Sequence, residues 1–227
     1  MRSLLRGTIA AVALTLAPVA VVTTSSAPAH AAAEVATTSS FSDSITKRGE
    51  FGRFFSVSGG VDAADESFID AGEARLQVQK PGSSTWKTIE VASGIGFASF
   101  PDYDKYRSNV KLRIAYTGGT SDDTTYLPSV SKAISIKVLR SVDFSSVSGK
   151  RQPTADVKVK PKFGKKKLLI QKKKGKKFKT FKKVKTNKKG KARFSVPGSS
   201  KGIKYLLVVP KDKNFVATKI PFTATRF

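Results

Sequence analysis

The sequence predicts an all-β protein made of two antiparallel β-sandwich domains in tandem, and three observations support this prediction. Short segments alternate apolar with polar residues, as in residues 75–80, which is the two-residue period of a half-buried strand. Beyond the N-terminal segment, no stretch of helical period is longer than about three turns. Finally, a ten-residue cassette occurs twice, as QKPGSSTWKT from Gln79 and as QKKKGKKFKT from Gln171.

The repeat extends beyond the cassette. At an offset of 92 residues the aligned pairs are Leu76 with Leu168, Val78 with Ile170, Trp86 with Phe178, and Ile89 with Phe181. Self-similarity over this length indicates two copies of one domain rather than a solenoid of short repeats. The aromatic residue after the turn is expected to pack into the core of each copy.

The segment that follows the second turn departs from a regular strand pattern. Its apolar residues are Phe178, Phe181 and Val184, a spacing that a regular strand would distribute over both faces. A β-bulge, or an edge strand with Thr180 turned inward, would explain the spacing. A short amphipathic helix would also explain it, but the match with residues 86–91 favours a strand.

The N-terminal residues 1–33 have the features of a secretory signal peptide. Arg2 and Arg6 precede an apolar run, and small alanines follow it. The run is shorter than the roughly 20 residues that cross a bilayer, so cleavage is favoured over an uncleaved anchor. We expect cleavage after Ala31 or Ala33, no transmembrane segment in the mature chain, and a secreted protein that is extracellular or non-covalently associated with the cell wall.

Charge is distributed unevenly between the two predicted domains, which span residues 34–142 and 143–227. The first domain has 13 Lys and Arg against 13 Asp and Glu, whereas the second has 27 against 3. The second domain therefore carries +24 of the net charge of +26. Such a charge costs folding free energy through self-repulsion, which a polyanionic partner would relieve.

Each copy has a strand that ends in Gln-Lys, a glycine-containing turn, and then Trp or Phe followed by Lys-Thr. A glycine before another strand and a late basic strand, which in the first copy precedes Tyr-Leu-Pro-Ser, complete the pattern. With the signal peptide, this pattern resembles the Ig-like repeats of secreted actinobacterial proteins over nearly the whole mature chain. The resemblance implies two Ig-like sandwiches and no catalytic role. The second copy departs from the usual pattern because lysine fills its polar positions.

The candidate binding residues are lysines of the second copy, at turns or on the outward sides of strands. They are Lys165, Lys166, Lys167, Lys172, Lys173, Lys174, Lys176, Lys177, Lys179, Lys182, Lys183, Lys188, Lys189 and Lys191. The strands around the turns at residues 172–177 and 187–191 are expected to be neighbours in a sheet, which predicts one basic face. Lysine favours multivalent attraction to a flexible phosphate or sulfate polymer over bidentate recognition of a fixed group.

The predicted partner is an anionic polymer at the cell surface or outside the cell. Export argues against a nuclear role for the lysine runs. The candidates are teichoic-type wall phosphates, extracellular DNA, sulfated glycans and anionic membrane lipids. Nucleic-acid binding would be independent of sequence, since no recognition helix or base-reading motif is visible. Phe163, Phe178 and Phe181 could stack on single-stranded bases, but core packing is the favoured interpretation.

Two other functions stay open. The chain could be a structural or adhesive Ig-like module that binds another protein, with the lysine coat only a solvated surface. A toxin that acts on anionic membranes is less favoured, because strands rather than a basic amphipathic helix carry the charge.

No enzymatic role and no cofactor are expected. His30 is the one histidine and lies in the predicted signal peptide, and the chain has no cysteine. The mature chain therefore lacks the residues of Ser-His-Asp, Cys-His and ordinary zinc sites. Paired carboxylates or a Ser-Lys dyad are not excluded by composition, but no spacing singles one out.

Acidic residues concentrate in residues 62–73 and in later loops of the first domain. Their oxygens could hold calcium, or could attract the basic domain of a neighbouring molecule head to tail. A solvated acidic loop is the simpler explanation.

Overall fold

The structure is a computed structural model that describes residues 32–92, 94–147, 152–161 and 163–226. These residues form strands, turns and loops without any helix, so the all-β prediction is confirmed. It follows that no helix among the described residues is long and apolar enough to cross a membrane. The predicted signal peptide lies outside the described residues except for Ala32 and Ala33.

The N-terminal half of the described chain contains twelve strands in three sheets. The strands are β1 (Ala33–Val35), β2 (Thr37–Phe41), β3 (Arg48–Glu50), β4 (Ser58–Ala63), β5 (Ala74–Gln79), β6 (Lys87–Val91), β7 (Ala98–Ser99), β8 (Val110–Tyr116), β9 (Gly119–Ser121), β10 (Thr124–Tyr126), β11 (Ser129–Val130) and β12 (Ile134–Leu139). The sheet orders are β3-β12-β8-β5-β6, with β11 also paired to β8, then β2-β4-β7 and β1-β10-β9.

Two strand pairs in this half differ from the predicted antiparallel arrangement. The pairs β1 with β10 and β3 with β12 are parallel, and all other pairs are antiparallel. Both exceptions join an early strand to a strand much later in the chain, which a short hairpin connection cannot do. Two of the three sheets of the N-terminal half are therefore mixed, and the sheet β2-β4-β7 is antiparallel.

The first hydrophobic core lies between the sheets of this half. Side chains of β8 alternate between core and surface, and Leu112 and Ile114 are fully buried. Ile114 is directly opposite Leu76 of β5 in the sheet register. This alternation is the two-residue period that the sequence predicts.

The C-terminal half contains seven strands in two sheets. The strands are β13 (Ser141–Val147), β14 (Thr154–Lys160), β15 (Lys167–Lys174), β16 (Lys177–Lys185), β17 (Lys191–Ser195), β18 (Ile203–Val209) and β19 (Thr218–Ala224). The orders are β13-β14-β17 and β16-β15-β18-β19, and every pair is antiparallel. The second core is built from both sheets and includes Val157, Leu168, Ile170 and Tyr205. The boundary predicted between residues 142 and 143 falls within β13 and stays a prediction.

A β-bulge interrupts the hairpin of β15 and β16. The register shifts between Ile170 and Gln171 and leaves Phe181 without a partner. The hairpin of β5 and β6 has the same irregularity at Ile89. The bulge predicted within this segment is therefore confirmed, and the helical alternative is wrong.

The strand register also corrects the sequence alignment. Thr180 pairs with Gln171, but the residue that pairs with Thr88 is Gln77 and not Gln79. The first strand of the hairpin is thus shifted by two residues, because the loop after β5 is longer than the two-residue turn between β15 and β16. A shift of two residues keeps every side chain on its original face, so the apolar pattern alone does not reveal it.

The prediction that the aromatic residue after each turn packs into the core is wrong in both copies. Trp86 is half-buried at the surface, with the guanidinium carbon of Arg113 lying 4.3 Å from its ring centre. Phe178 is 37% exposed and pairs with Lys173, away from the core residues of β15. The reason is that β6 and β16 are the outermost strands of their sheets, where less of the sandwich covers them.

Arg140 connects the two hydrophobic cores. Its guanidinium carbon lies 4.1 Å from the ring centre of Phe215, which belongs to the first core, and 5.1 Å from that of Phe163, in the second core. The side chain is 4% exposed and donates hydrogen bonds to Asp212, at 2.7 Å, and to the carbonyl oxygen of Pro161. A buried cation in this position needs its carboxylate partner, so Asp212 is a structural residue.

We expect Asp212→Asn to destabilise the fold by about 2 kcal/mol at pH 7, because it removes a charged hydrogen-bond partner of Arg140 and leaves that buried cation without a countercharge. Burial raises the pKa of Asp212, but hydrogen bonds from Arg140 and the Asn214 amide, with the charge of Arg140 and a hydrogen bond from Lys166, lower it overall. A carboxylate with a lowered folded-state pKa stabilises the fold above its unfolded pKa, and the stabilisation is lost as pH falls through the folded value.

Urea unfolding at pH 7 and at successively lower pH checks this prediction. The difference between wild type and variant should shrink below the ordinary value of 3.8. Asp143→Asn is the control, since Asp143 pairs with Lys160 at the exposed surface and should contribute little. Equal effects of the two substitutions would contradict the structural role of Asp212.

Candidate functional site

The fourteen predicted lysines follow one edge of the C-terminal half. β16 is the outermost strand of its sheet, and five of its nine residues are lysine. It is joined to β15 by a tight turn at Gly175 and Lys176, in which Gly175 has a φ of 59°, as the first position of a type II′ hairpin turn requires. All fourteen side chains are exposed except that of Lys172, which is half-buried.

The prediction that the strands around the two lysine-rich turns are neighbours in one sheet is wrong, because β16 and β17 belong to different sheets. The turn at residues 172–177 is the tip of the hairpin, whereas residues 187–191 follow the opposite end of β16 and lead into β17 of the other sheet. Nine strand residues, about 30 Å, separate them. The structure instead arranges the lysines as a stripe along β15, β16 and the turn before β17, which we call the lysine stripe.

Lys165 and Lys166 join the far end of the stripe. The amide of Lys165 donates to the carbonyls of Thr186 and Asn187, and the amide of Lys166 donates to the Thr186 hydroxyl. These bonds hold the start of β15 against the turn that carries Lys188, Lys189 and Lys191. That end of the stripe is thus fixed by backbone contacts, whereas the hairpin tip at the other end projects from the sheet.

The hairpin register places lysine opposite lysine in three cross-strand pairs. These are Lys167 with Lys185, Lys172 with Lys179, and Lys174 with Lys177. Directly opposed like charges destabilise a strand pair. The stripe therefore concentrates positive charge at a cost to the stability of the isolated protein.

Internal ion pairs do not compensate this charge. The three carboxylates of residues 143–227 are already paired, Asp143 with Lys160, Asp156 with Arg193, and Asp212 with Arg140 and Lys166. Within the described ranges, Lys166 is the one predicted site lysine that has a carboxylate oxygen within 4.0 Å. The other thirteen are available to an external anion.

Lys185 is a member of the stripe that the sequence prediction missed. It lies at the end of β16, directly opposite Lys167. Its spacing of two residues from Lys183 is the strand period, and that period is the signal that would have included it.

The aromatic residues of this region divide into two groups. Phe163 is buried in the second core, as predicted. Phe178 and Phe181 are 37% and 45% exposed, so the favoured prediction of core packing is wrong for them. The ring of Phe181 makes an edge contact with the buried Tyr205, with ring centres 5.9 Å apart. The stripe therefore presents aromatic surface among its lysines.

A groove of about 760 Å³ crosses β13, β14 and β17 and contains Asp143 and Asp156. Two hydrogen bonds from Arg193, of 2.7 and 2.8 Å, lower the pKa of Asp156, and Asp143 pairs with Lys160 at 3.2 Å. A glycosidase acid needs a protonated carboxyl with a raised pKa. The groove holds two ion pairs instead of such an acid–base couple.

The acidic segment of the N-terminal half is engaged in local hydrogen bonds. Ser67 and Ser121 donate to Asp65 and Asp70, at 2.6 and 2.9 Å respectively. The hydrogen bond from the Ser67 hydroxyl, followed by that from the Ser67 amide, lowers the pKa of Asp65. The part of the chain that the structure describes contains no group of three or more Asp, Glu, His or Cys placed to hold a metal ion.

Comparison with known proteins adds no assignment. No protein family model matches the chain, and its sequence matches no curated protein. The function must therefore be argued from the geometry of the lysine stripe.

We expect Lys179→Glu to stabilise the fold by about 0.5–1 kcal/mol at low salt, because it places a carboxylate directly opposite Lys172. Lys179→Gln removes the repulsion without adding attraction and should give a smaller gain. Thermal unfolding in low and high salt measures both effects. A gain from Lys179→Glu that is insensitive to salt, or no gain at all, would contradict the cross-strand repulsion.

Proposed function

We propose that this chain is a secreted, non-enzymatic binding protein built from two tandem Ig-like β-sandwiches, of which the second associates electrostatically with anionic polymers outside the cell. The two hydrophobic cores, each lined by more than one sheet, and the bulged hairpin found in both halves support the tandem arrangement. The signal-peptide pattern of residues 1–33 supports export.

One observation carries the binding assignment. Apart from the half-buried Lys172 the lysine stripe is exposed, and its lysines oppose one another across the hairpin. The nearby carboxylates are already in ion pairs, and among the described residues only Lys166 of the stripe takes part in them. A bound row of phosphates or sulfates would replace this repulsion with attraction. The partner therefore supplies the countercharge that the chain itself lacks.

The mode of binding follows from the side chains that form the stripe. Lysine ammonium groups on flexible stems attract phosphate or sulfate as point charges, without demanding one fixed geometry. Binding to a polymer then gains from released counterions and is independent of base or sugar sequence. The N-terminal half, which is close to neutral, would act as a spacer or provide a separate contact.

A salt titration of the full chain tests this proposal against poly(glycerol phosphate), duplex DNA and heparin. We expect the logarithm of the association constant to fall linearly with the logarithm of salt concentration. Each neutralised phosphate should add about 0.9 to the slope for duplex DNA. Replacing Lys172, Lys173, Lys174, Lys176 and Lys177 together by Gln should weaken binding and flatten the slope without unfolding the protein.

The matched control removes five lysines from the N-terminal half. It replaces Lys47, Lys80, Lys111, Lys132 and Lys137 by Gln, which are all exposed. This variant loses the same charge and should retain most of the affinity. Absence of binding by the wild type at low salt would show that the lysine stripe is only a solvated surface.

A second candidate function is the binding of another protein by the N-terminal half. Three aromatic side chains support it, because Phe54, Phe68 and Phe97 are 71%, 81% and 72% exposed. Aromatic side chains are enriched at protein–protein interfaces relative to the rest of the surface. This function predicts that the chain associates with its protein partner independently of salt. Phe68→Ser or Phe97→Ser should abolish that association, as measured by analytical ultracentrifugation. Association that disappears with added salt would instead favour the polyanion proposal.

A further inference from the structure

The bulge at Phe181 brings three lysines of β16 onto one side of the hairpin. Lys177 and Lys179 are two residues apart and share a side, but Lys182 is three residues further and would point the opposite way in a regular strand. The register instead pairs them with Lys174, Lys172 and Ile170, which are successive residues of one side of β15. Because Phe181 is an extra residue in the bulge, the three lysines stay on one side of the hairpin and form one column.

A second, shorter column lies beside the first. Lys172 and Lys174 occupy the same side of β15, one strand spacing of about 4.8 Å away. We call the five residues Lys172, Lys174, Lys177, Lys179 and Lys182 the lysine ladder. Among the described residues, none of the five has a carboxylate within 4.0 Å.

The N-terminal half shows that the fold does not require this ladder. The same bulge occurs there at Ile89, but the equivalent paired positions of β6 are Lys87 and Glu90, of opposite charge. Glu90 accepts hydrogen bonds from the amides of Asp102 and Tyr103, at 3.0 and 3.1 Å. The bulge is common to both copies, whereas the column of positive charge belongs to the second copy alone.

The distance between successive lysines of the column matches the repeat of one class of polymer. Strand residues on one side repeat every two positions, or about 7 Å. An extended covalent chain advances about 3.5 Å for every three backbone bonds, so six bonds also span about 7 Å. A phosphodiester chain with a three-carbon linker has six backbone bonds per repeat. Single-stranded nucleic acid and poly(glycerol phosphate) both have this repeat, whereas a sulfated glycan places whole sugar rings between its linkages.

We propose that the lysine ladder binds an extended phosphodiester polymer with a three-carbon linker, laid along β16 with successive phosphates at Lys177, Lys179 and Lys182. This inference rests on the proposed polyanion function and specifies its ligand. Phe181 is the bulge residue between Thr180 and Lys182, and its ring contacts Tyr205, which lies opposite Lys172. It is 45% exposed, so its ring meets the linker or a base between two phosphates.

The test uses the full chain and two triple variants of equal charge. Lys177, Lys179 and Lys182 are replaced by Gln in the ladder variant. The control replaces Lys167, Lys183 and Lys185 of the same hairpin, which the register places on the opposite side. The probes are poly(glycerol phosphate), oligo(dT) with the same number of phosphates, and a heparin fragment of equal charge.

We expect the ladder variant to lose roughly tenfold in affinity for both phosphodiester probes, as three exposed charge pairs would. Its salt slope should fall by about 2, since each phosphate contact on a single strand contributes about 0.7. The control variant should lose clearly less affinity. The two variants should lose about the same affinity for heparin. Thermal unfolding should show that both variants fold, since each has lost repulsive charge.

Three results separate the possible failures. Equal losses for the two variants would overturn the ladder but leave polyanion binding intact. If the ladder variant loses as much affinity for heparin as for the phosphodiester probes, and the control variant loses less of both, the assignment of the ligand class is overturned. No binding of any probe by the wild type would overturn the proposed function and the ladder with it.

Phe181→Ala distinguishes the two sources of the phosphodiester. With a nucleic acid as the ligand, the variant should lose affinity for oligo(dT), because aromatic stacking on bases contributes to single-strand binding. With a wall-type polymer as the ligand, the wild type should bind poly(glycerol phosphate) more tightly than oligo(dT). The substitution should change the affinity for poly(glycerol phosphate) little. Either result supports the phosphodiester assignment.

Discussion

The arrangement of the C-terminal half depends on the repulsion among its lysines. Charge of this density is tolerated only where water and counterions reach it. The hairpin of β15 and β16 satisfies that constraint because Leu168 and Ile170 anchor one end of it in the core, while β16 occupies the outside of the sheet. The core therefore restrains a strand whose own charges would separate it from its neighbour, while the hairpin tip stays at the solvent-exposed end.

The two halves of the chain are also coupled through a cation, but one in the opposite environment. Arg140 is buried between aromatic rings of the two cores and depends on Asp212 for its countercharge. The same carboxylate also reaches Lys166 at the end of the lysine stripe, at 3.4 Å. One acidic residue thus serves both the junction of the halves and the edge of the candidate site.

The sequence predicted those features that depend on local pattern, and the limits of the prediction have physical reasons. Alternating apolar residues were sufficient to predict the strand at residues 75–80, which is β5, and the odd spacing at Phe181 was sufficient to predict the bulge. The two lysine-rich turns are separated by the single strand β16, which the chain order already implies, whereas the sheet that β17 joins depends on long-range pairing and was not predictable. Trp86 and Phe178 were assigned to the core because apolarity alone does not reveal that a strand is at a sheet edge.

The position of β16 has a further consequence for association between molecules. An outermost strand has unpaired backbone N–H and C=O groups that can pair with the same strand of a second molecule, and nature often protects such edges with lysine and with bulges. β16 has both, so two copies repel each other where their backbones would otherwise join. This protection depends on the charge of the lysines, and any anion that neutralises them also removes the barrier to edge-to-edge pairing.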